Sequence, residues 1–312
     1  MRIALIAPPF IPVPPVRYGG TELFVAHLAE SLNQQGHNVV VVYANGESTV
    51  NADVRWYYRQ STWPPTGNFS ETLKEVTHTA WAIRDAAETC DIIHINNTFG
   101  LPYSRFVDVP FVCTIHHPHE QILTEFYCQY PEAHYVTISE QCRRLEPMPH
   151  VRTIHHGINV SKYQFSAKKQ NYLSFLGRIV PVKGAHAAIE VAKKVGIPLK
   201  IAGEVQPIYR NYFEKEINPH IDGRFIEYLG EADFKTKNEL LANSRALLFP
   251  IEWDEPFGLI MIEAMACGTP VIAFAVGAMM AVHLTPTCHY PACPGNPYLN
   301  INRARCAMDC PA

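Results

Sequence analysis

Short runs of uninterrupted apolar residues alternate along this chain with longer segments whose apolar positions recur every three or four residues. Residues 2–7 (R-I-A-L-I-A) form the first run. A segment opened by Tyr18-Gly19-Gly20-Thr21-Glu22 follows, in which Leu23, Ala26, His27, Leu28 and Leu32 are spaced for one helical face before Gly36. Residues 37–43 (H-N-V-V-V-V-Y) are a second run. A strand covered on both faces is apolar throughout, so this β-α-β opening predicts a doubly wound parallel sheet. Further strands are predicted at 91–96, Phe111–Ile115, 135–138 and 151–154, with a helix over about 70–87 and another capped by Ser139. Residues 44–70 are rich in turns and show no period.

The pattern then restarts. After a polar, linker-like stretch at 160–170, strands are predicted at 171–176, Leu199–Ala202, 225–229 and 246–250, with helices at Ala185–Val195 and about 235–244. Residues 257–266 read as a short helix stopped by Gly268 and Pro270, and 271–274 as a buried strand. The expectation is two Rossmann-like domains, 1–160 and 171–277, followed by an atypical Cys/Pro-rich tail at 278–312.

Composition narrows the class. A chain of 312 residues with 47% apolar content and net charge −3 can bury two cores and lacks the basic face of a nucleic-acid binder. No apolar run approaches the ~18 residues of a membrane span, so a cytoplasmic protein is expected. Cys90, Cys113, Cys128, Cys142 and Cys267 are scattered and read as reduced core or near-core thiols, whereas Cys288, Cys293, Cys306 and Cys310 crowd the tail.

Three stretches carry candidate chemistry. A helix start behind Pro256-Phe257-Gly258 offers free amides and a positive dipole end to an anion, with Glu255 and Glu263 bracketing it. Eight helical residues would span roughly 12 Å, about the reach from a sugar ring across a pyrophosphate to a ribose. From spacing alone, a solvated Glu255 with Glu263 on an exposed helix face fits as well. In the loop 177–184 (G-R-I-V-P-V-K-G), Arg178 and Lys183 are placed to reach one compact anion, though isolated basic residues are often merely solvated. His116, His117 and His119 end a strand, but histidines so close together rarely converge on one metal ion. Gly19-Gly20 lacks the G-x-G-x-x-G spacing of a dinucleotide site, so hydride transfer is unsupported.

The stretch E-P-F-G-L-I-M-I-E from Glu255 to Glu263, together with G-R-x-x-x-x-K-G, resembles glycosyltransferase family 4, retaining enzymes of the two-domain GT-B fold. The resemblance implies that Glu255 contacts sugar hydroxyls, that Glu263 holds the ribose, and that amides around Phe257, Gly258 and Leu259 face sugar and phosphate. It places Arg178 and Lys183 on the donor diphosphate, Gly19, Gly20 and Glu22 in the cleft between domains, and His116 beside the donor sugar. By the same resemblance Gly203 lies near the nucleotide, and the turn at Gly230 holds the nucleobase. The segment His156-Gly157-Ile158-Asn159 is similar to the family's Asn-Gly-Ile-Asp turn, with His and Asn as departures.

The implied reaction is hexosyl transfer from a nucleotide sugar to an acceptor hydroxyl (glycan, lipid-linked or small molecule), with retention, without a metal or other cofactor, with no nucleic-acid partner and with at most peripheral membrane contact. Two other readings stay open: a related GT-B epimerase or phosphorylase, and an inactive nucleotide-binding remnant whose tail mediates interaction. The wording of the family stops at about residue 274 apart from Gly277, so the second domain is expected to be incomplete. A zinc module, a disordered extension and a shifted reading frame each account for the tail, and the last is preferred.

Overall fold

The structure, a computed structural model, describes residues 1–36 and 39–274. The tail at 278–312, with its four cysteines, lies outside the described residues. The chain divides into two compact units, Met1–His156 and Gly157–Ala312.

In chain order the first unit comprises β1 (Arg2–Ile6), α1 (Gly20–Gln34), β2 (Val39–Ala44), β3 (Asp53–Trp56), α2 (Phe69–Thr89), β4 (Ile92–Ile95), β5 (Phe111–Ile115), α3 (Gln121–Tyr127), β6 (His134–Thr137), α4 (Glu140–Leu145) and β7 (Val151–Thr153). The strands form one parallel sheet in the order β3-β2-β1-β4-β5-β6-β7. Alternate residues of β1 serve opposite faces. Ala4 and Ile6 pack with Ala82, Ile83 and Ala86 of α2, while Ile3 and Leu5 pack with Val25, Ala26 and Ala29 of α1. Both faces being covered explains why the strand sequence is apolar throughout. Ser139 caps α4 as predicted, its hydroxyl accepting from the Cys142 amide at 3.2 Å.

The second unit comprises β8 (Leu173–Leu176), α5 (Ala185–Val195), β9 (Leu199–Ala202), α6 (Arg210–Tyr212), β10 (Ile226–Tyr228), α7 (Phe234–Asn243), β11 (Leu247–Phe249), α8 (Leu259–Ala266) and β12 (Val271–Ala273). Its sheet is again parallel, in the order β10-β9-β8-β11-β12. Leu173 and Phe175 pack on Ala185, Ala188, Ile189 and Ala192 of α5, and Ala264, Ala266 and Cys267 pack on Leu241 and Leu247.

Several expectations need correction. The buried stripe of α1 runs through Glu22, Val25, Ala26 and Ala29 and not through Leu23, because the small residues face the sheet most closely. The stretch 44–70 contains β3, and α3 and α6 form where no helix was predicted. Residues 160–170 are no loose linker, since Tyr163 is buried and the Gln170 amide bonds the Asn243 carbonyl. The strand predicted as buried at 271–274 is the outermost of its sheet among the described residues, and Ile272 is exposed. Cys128 is exposed at the end of α3, whereas Cys90, Cys113, Cys142 and Cys267 are buried thiols.

Candidate functional site

In doubly wound sheets a crevice opens at the carboxyl ends of two neighbouring strands whose connections leave in opposite directions. In the first unit those strands are β1 and β4. Asn96, immediately after β4, closes the gap: its backbone amide and its Nδ2 both donate to the Ile6 carbonyl, at 3.1 and 3.0 Å. With the amide nitrogen committed, Oδ1 is the atom 2.9 Å from His116 Nε2. Nε2 therefore carries the proton and Nδ1 keeps its lone pair. The ring is packed between Phe24 of α1, edge-on with centroids 5.0 Å apart, and His156, stacked at 5.5 Å and 16°. Burial, reinforced by the neighbouring His156, His94 and His117, holds the His116 pKa well below its ordinary value, so the imidazole is neutral at pH 7.

The other two histidines of that strand end are satisfied locally. His117 Nδ1 donates to the Pro118 carbonyl at 2.7 Å, leaving Nε2 to accept from the Tyr127 hydroxyl. His119 lies 3.2 Å from Glu146 Oε1. Among the described residues no group of three or more His, Cys, Asp or Glu is placed to hold a metal ion.

Gly19 is the buried N-cap of α1 and Gly20 its exposed first residue. The Glu22 carboxylate is turned onto this loop: a Cβ on Gly19 would lie 3.0 Å from Glu22 Oε2. Burial raises the Glu22 pKa to about 7; its own backbone amide opposes this and the charge of Glu75 adds to it. Burial lifts Glu75 to about 7 as well.

In the second unit the corresponding crevice lies between β8 and β11. The loop after β8 ends in the turn Pro181–Lys183, and the loop after β11 carries Glu255. The two loops are tied by a bond from the Glu252 amide to the Val182 carbonyl at 2.9 Å. Lys183 Nζ then meets Glu255 Oε2 at 2.5 Å, with the side chains only 13% and 14% exposed. The Trp253 indole N–H donates to the same oxygen at 2.8 Å, and Lys183 Nζ sits 4.6 Å from the centroid of that indole ring. Two motifs 72 residues apart thus converge on one ion pair.

Behind it lies α8, whose N-cap Gly258 has φ +82°, a conformation that favours glycine and turns the chain sharply into the helix. Phe257 is buried and Leu259 is the first helical residue, so the N-terminus of α8 lies directly after the Glu255 loop. Glu263 is 3% exposed, which overturns the alternative that placed it on a solvated helix face. The Tyr163 hydroxyl and Lys237 Nζ donate to its Oε1 at 2.8 and 2.5 Å. Among the described residues both donors meet the same oxygen.

Gly203 has a packing reason of its own. A Cβ there would lie 1.8 Å from the Gly177 carbonyl oxygen, so only glycine lets the loop after β9 cross the loop after β8. Its amide donates to the Gly230 carbonyl at 2.8 Å, and the Ile179 amide donates to that of Glu204 at 2.8 Å. These bonds bring the Arg178 loop, Gly203 and Gly230 to one end of the sheet.

Comparison with known proteins bears on the family and the fold. A family model described as Glycosyltransferase Family 4 matches residues 18–162, and one described as Glycosyl transferases group 1 matches residues 159–283. The chain belongs to glycosyltransferase family 4. A glycogen synthase of Mycobacterium tuberculosis is 23% identical over 342 residues, covering 89% of this chain and 79% of the relative. Among solved structures, AviGT4, a glycosyltransferase involved in avilamycin A biosynthesis, shares 24% identity with a TM-score of 0.64, covering 90% of this chain and 81% of that one. Anabaena HepE in complex with UDP-glucose shares 18% identity with a TM-score of 0.71, covering 93% and 85%. These likenesses establish the GT-B fold with its two Rossmann-like domains.

Within this family 4 chain, sequence reasoning missed Trp253, Lys237 and Tyr163. Trp253 sat two residues before Glu255 in a motif already singled out, whereas Lys237 and Tyr163 meet Glu263 only through the fold. No helix among the described residues is long and apolar enough to cross a membrane.

Proposed function

We propose that this glycosyltransferase moves a hexosyl group from a nucleotide sugar to an acceptor hydroxyl with retention at the anomeric carbon. The observation that carries the reading is the Lys183–Glu255 pair at the β8/β11 crevice, directly before the amides of α8. In the reaction the anomeric carbon–phosphate oxygen bond breaks and a bond to the acceptor oxygen forms on the same face, the acceptor proton leaving with the diphosphate. Lys183, Arg178 and the α8 amides stabilise the charge that builds on the departing diphosphate, the electrostatic work a divalent cation does in other enzymes. Glu255 holds sugar hydroxyls and Glu263 Oε2 the ribose. Gly203 and Gly230 shape the nucleotide end. Gly19, Gly20 and Glu22 form the loop of the first unit that faces substrate, and neutral His116 offers the lone pair of Nδ1 to a sugar hydroxyl.

The related structures that hold UDP-glucose, or ADP in a starch synthase of Arabidopsis thaliana, support a nucleoside-diphosphate donor. The test is calorimetric titration of UDP, GDP and ADP, followed by NMR of the product anomer from the matching sugar nucleotide with chelator present. Binding of one nucleotide that Lys183→Ala weakens about tenfold or more is expected. Inversion at the anomeric carbon, or binding indifferent to Lys183, would refute the mechanism.

A further inference from the structure

Glu255 and Lys183 carry opposite charges and opposite duties in the donor reading, one toward the sugar and one toward the diphosphate. Left to themselves, such a pair at 2.5 Å would neutralise each other in whatever geometry suits them. The structure provides a third group that fixes both. The Trp253 N–H donates to Glu255 Oε2 at 2.8 Å, the same oxygen that Lys183 holds. The face of the same indole lies 4.6 Å from Lys183 Nζ, a cation–π distance, and the ring of Phe249 supports the ammonium from 5.9 Å. The indole is anchored in turn against Phe249, Ile251 and Met261. One rigid side chain therefore sets the direction of the carboxylate with its edge and the position of the ammonium with its face.

We propose that Trp253 is the positioning residue of the donor site, holding Glu255 toward the sugar through its N–H and Lys183 toward the diphosphate through its ring. When diphosphate draws Lys183 away from Glu255, the indole bond keeps the carboxylate in place, so that Glu255 Oε1 and the free edge of Oε2 still point at sugar hydroxyls. The inference rests on the donor-site reading above and adds to it a division of labour within one side chain.

That division makes the test specific. Trp253→Phe keeps an aromatic face and loses the donor, whereas Trp253→Leu loses both. In the full chain, W253F is expected to lower kcat about tenfold while the dissociation constant of the nucleoside diphosphate, measured with UDP, GDP and ADP, stays within about threefold of wild type. W253L is expected to lower kcat similarly and also to weaken the nucleotide about tenfold. Equal losses of kcat and affinity in the two variants would mean a merely structural indole and overturn the proposal. A wild type that binds none of the three nucleotides refutes the donor reading and this role with it; a wild type that turns over while W253F matches it refutes the role of Trp253 alone. The indole N–H resonance of Trp253, identified in 15N spectra by its loss in W253F, is expected to move upfield in Glu255→Gln. A resonance that stays put overturns the proposal independently of any ligand.

Discussion

Replacing Lys237 by Met strips Glu263 of the cation that neutralises it while leaving the methylene stem in place. The Glu263 side chain is 4% exposed and Lys237 18%, so the carboxylate has almost no recourse to water when its partner is removed. Removing one member of a buried pair typically destabilises by 3–5 kcal/mol; because Lys237 keeps some solvent contact, the lower end applies, about 3 kcal/mol. Glu263→Gln is milder. Its amide oxygen still accepts from Tyr163, and the orphaned ammonium can turn to water, so about 1 kcal/mol is expected. The double variant leaves no buried charge and should lose only about 1.5 kcal/mol, which makes the coupling between the sites about 2.5 kcal/mol. Urea denaturation followed by fluorescence reads this directly, since Trp253 is the one tryptophan after His156. A midpoint drop of about 6–12 °C on heating should accompany the single Lys237→Met change. Additive losses in the cycle, or a Lys237→Met effect below about 1 kcal/mol, would refute the buried pairing of Lys237 with Glu263.

Three further outcomes follow from the same structure. Glu22 has its folded pKa raised from 4.5 to about 7, so its contribution is fully present below pH 4.5 and is lost as pH rises through 7. Glu22→Gln should therefore match wild type at pH 4.5 and be about 3 kcal/mol more stable relative to it at pH 8, as read from urea melts; a pH-independent difference would refute the buried carboxyl. His156 is depressed from 6.5 to about 4 by burial, with His155 and His27 adding to it, so protonation of the unfolded chain lowers stability as pH falls from 6.5 to 4. The stability gap between wild type and His156→Asn should accordingly narrow by about 3 kcal/mol between pH 7 and pH 4, and a constant gap would argue against a neutral, buried ring. Gly203→Ala would force a Cβ to within 1.8 Å of the Gly177 oxygen, displacing two loops at once; a loss of about 3 kcal/mol or more is expected in the same melts, and a variant as stable as wild type would refute the close crossing.

How much of this was legible in the sequence depended on whether the information was local. The strand Phe111–Ile115 and the segments Ala185–Val195 and Leu199–Ala202 were readable to the residue, because continuous apolar runs and flanking glycines or prolines fix their ends. The strand Asp53–Trp56 (D-V-R-W) escaped notice because it is an edge strand, polar at alternate positions and too short to stand out from the turns around it. The irregular helical run between Pro207 and His220 mixes α, 3-10 and π turns, so it shows no single period.

The candidate site divides along the same line. Arg178, Lys183, Glu255 and Glu263 are visible because each sits in a loop or helix start whose glycines and prolines mark the turn locally. What holds them is not visible. Tyr163 reaches Glu263 across 100 residues, and Lys237 does so from a helix whose sequence gives no sign that one lysine points inward. The polar wording of 160–170 hides a structural anchor for the same reason: Lys169 Nζ donates to the Ala242 and Cys267 carbonyls at 2.8 and 3.1 Å, contacts no periodicity can announce. Local chemistry thus names the candidate groups of the site, while the groups that fix their direction are set by topology. The His156 ring shows the consequence. The sequence marks it only as a departure from an Asn-Gly-Ile-Asp pattern, yet the fold stacks it on His116 and packs both against Phe24, so a change at 156 must alter the ring at 116.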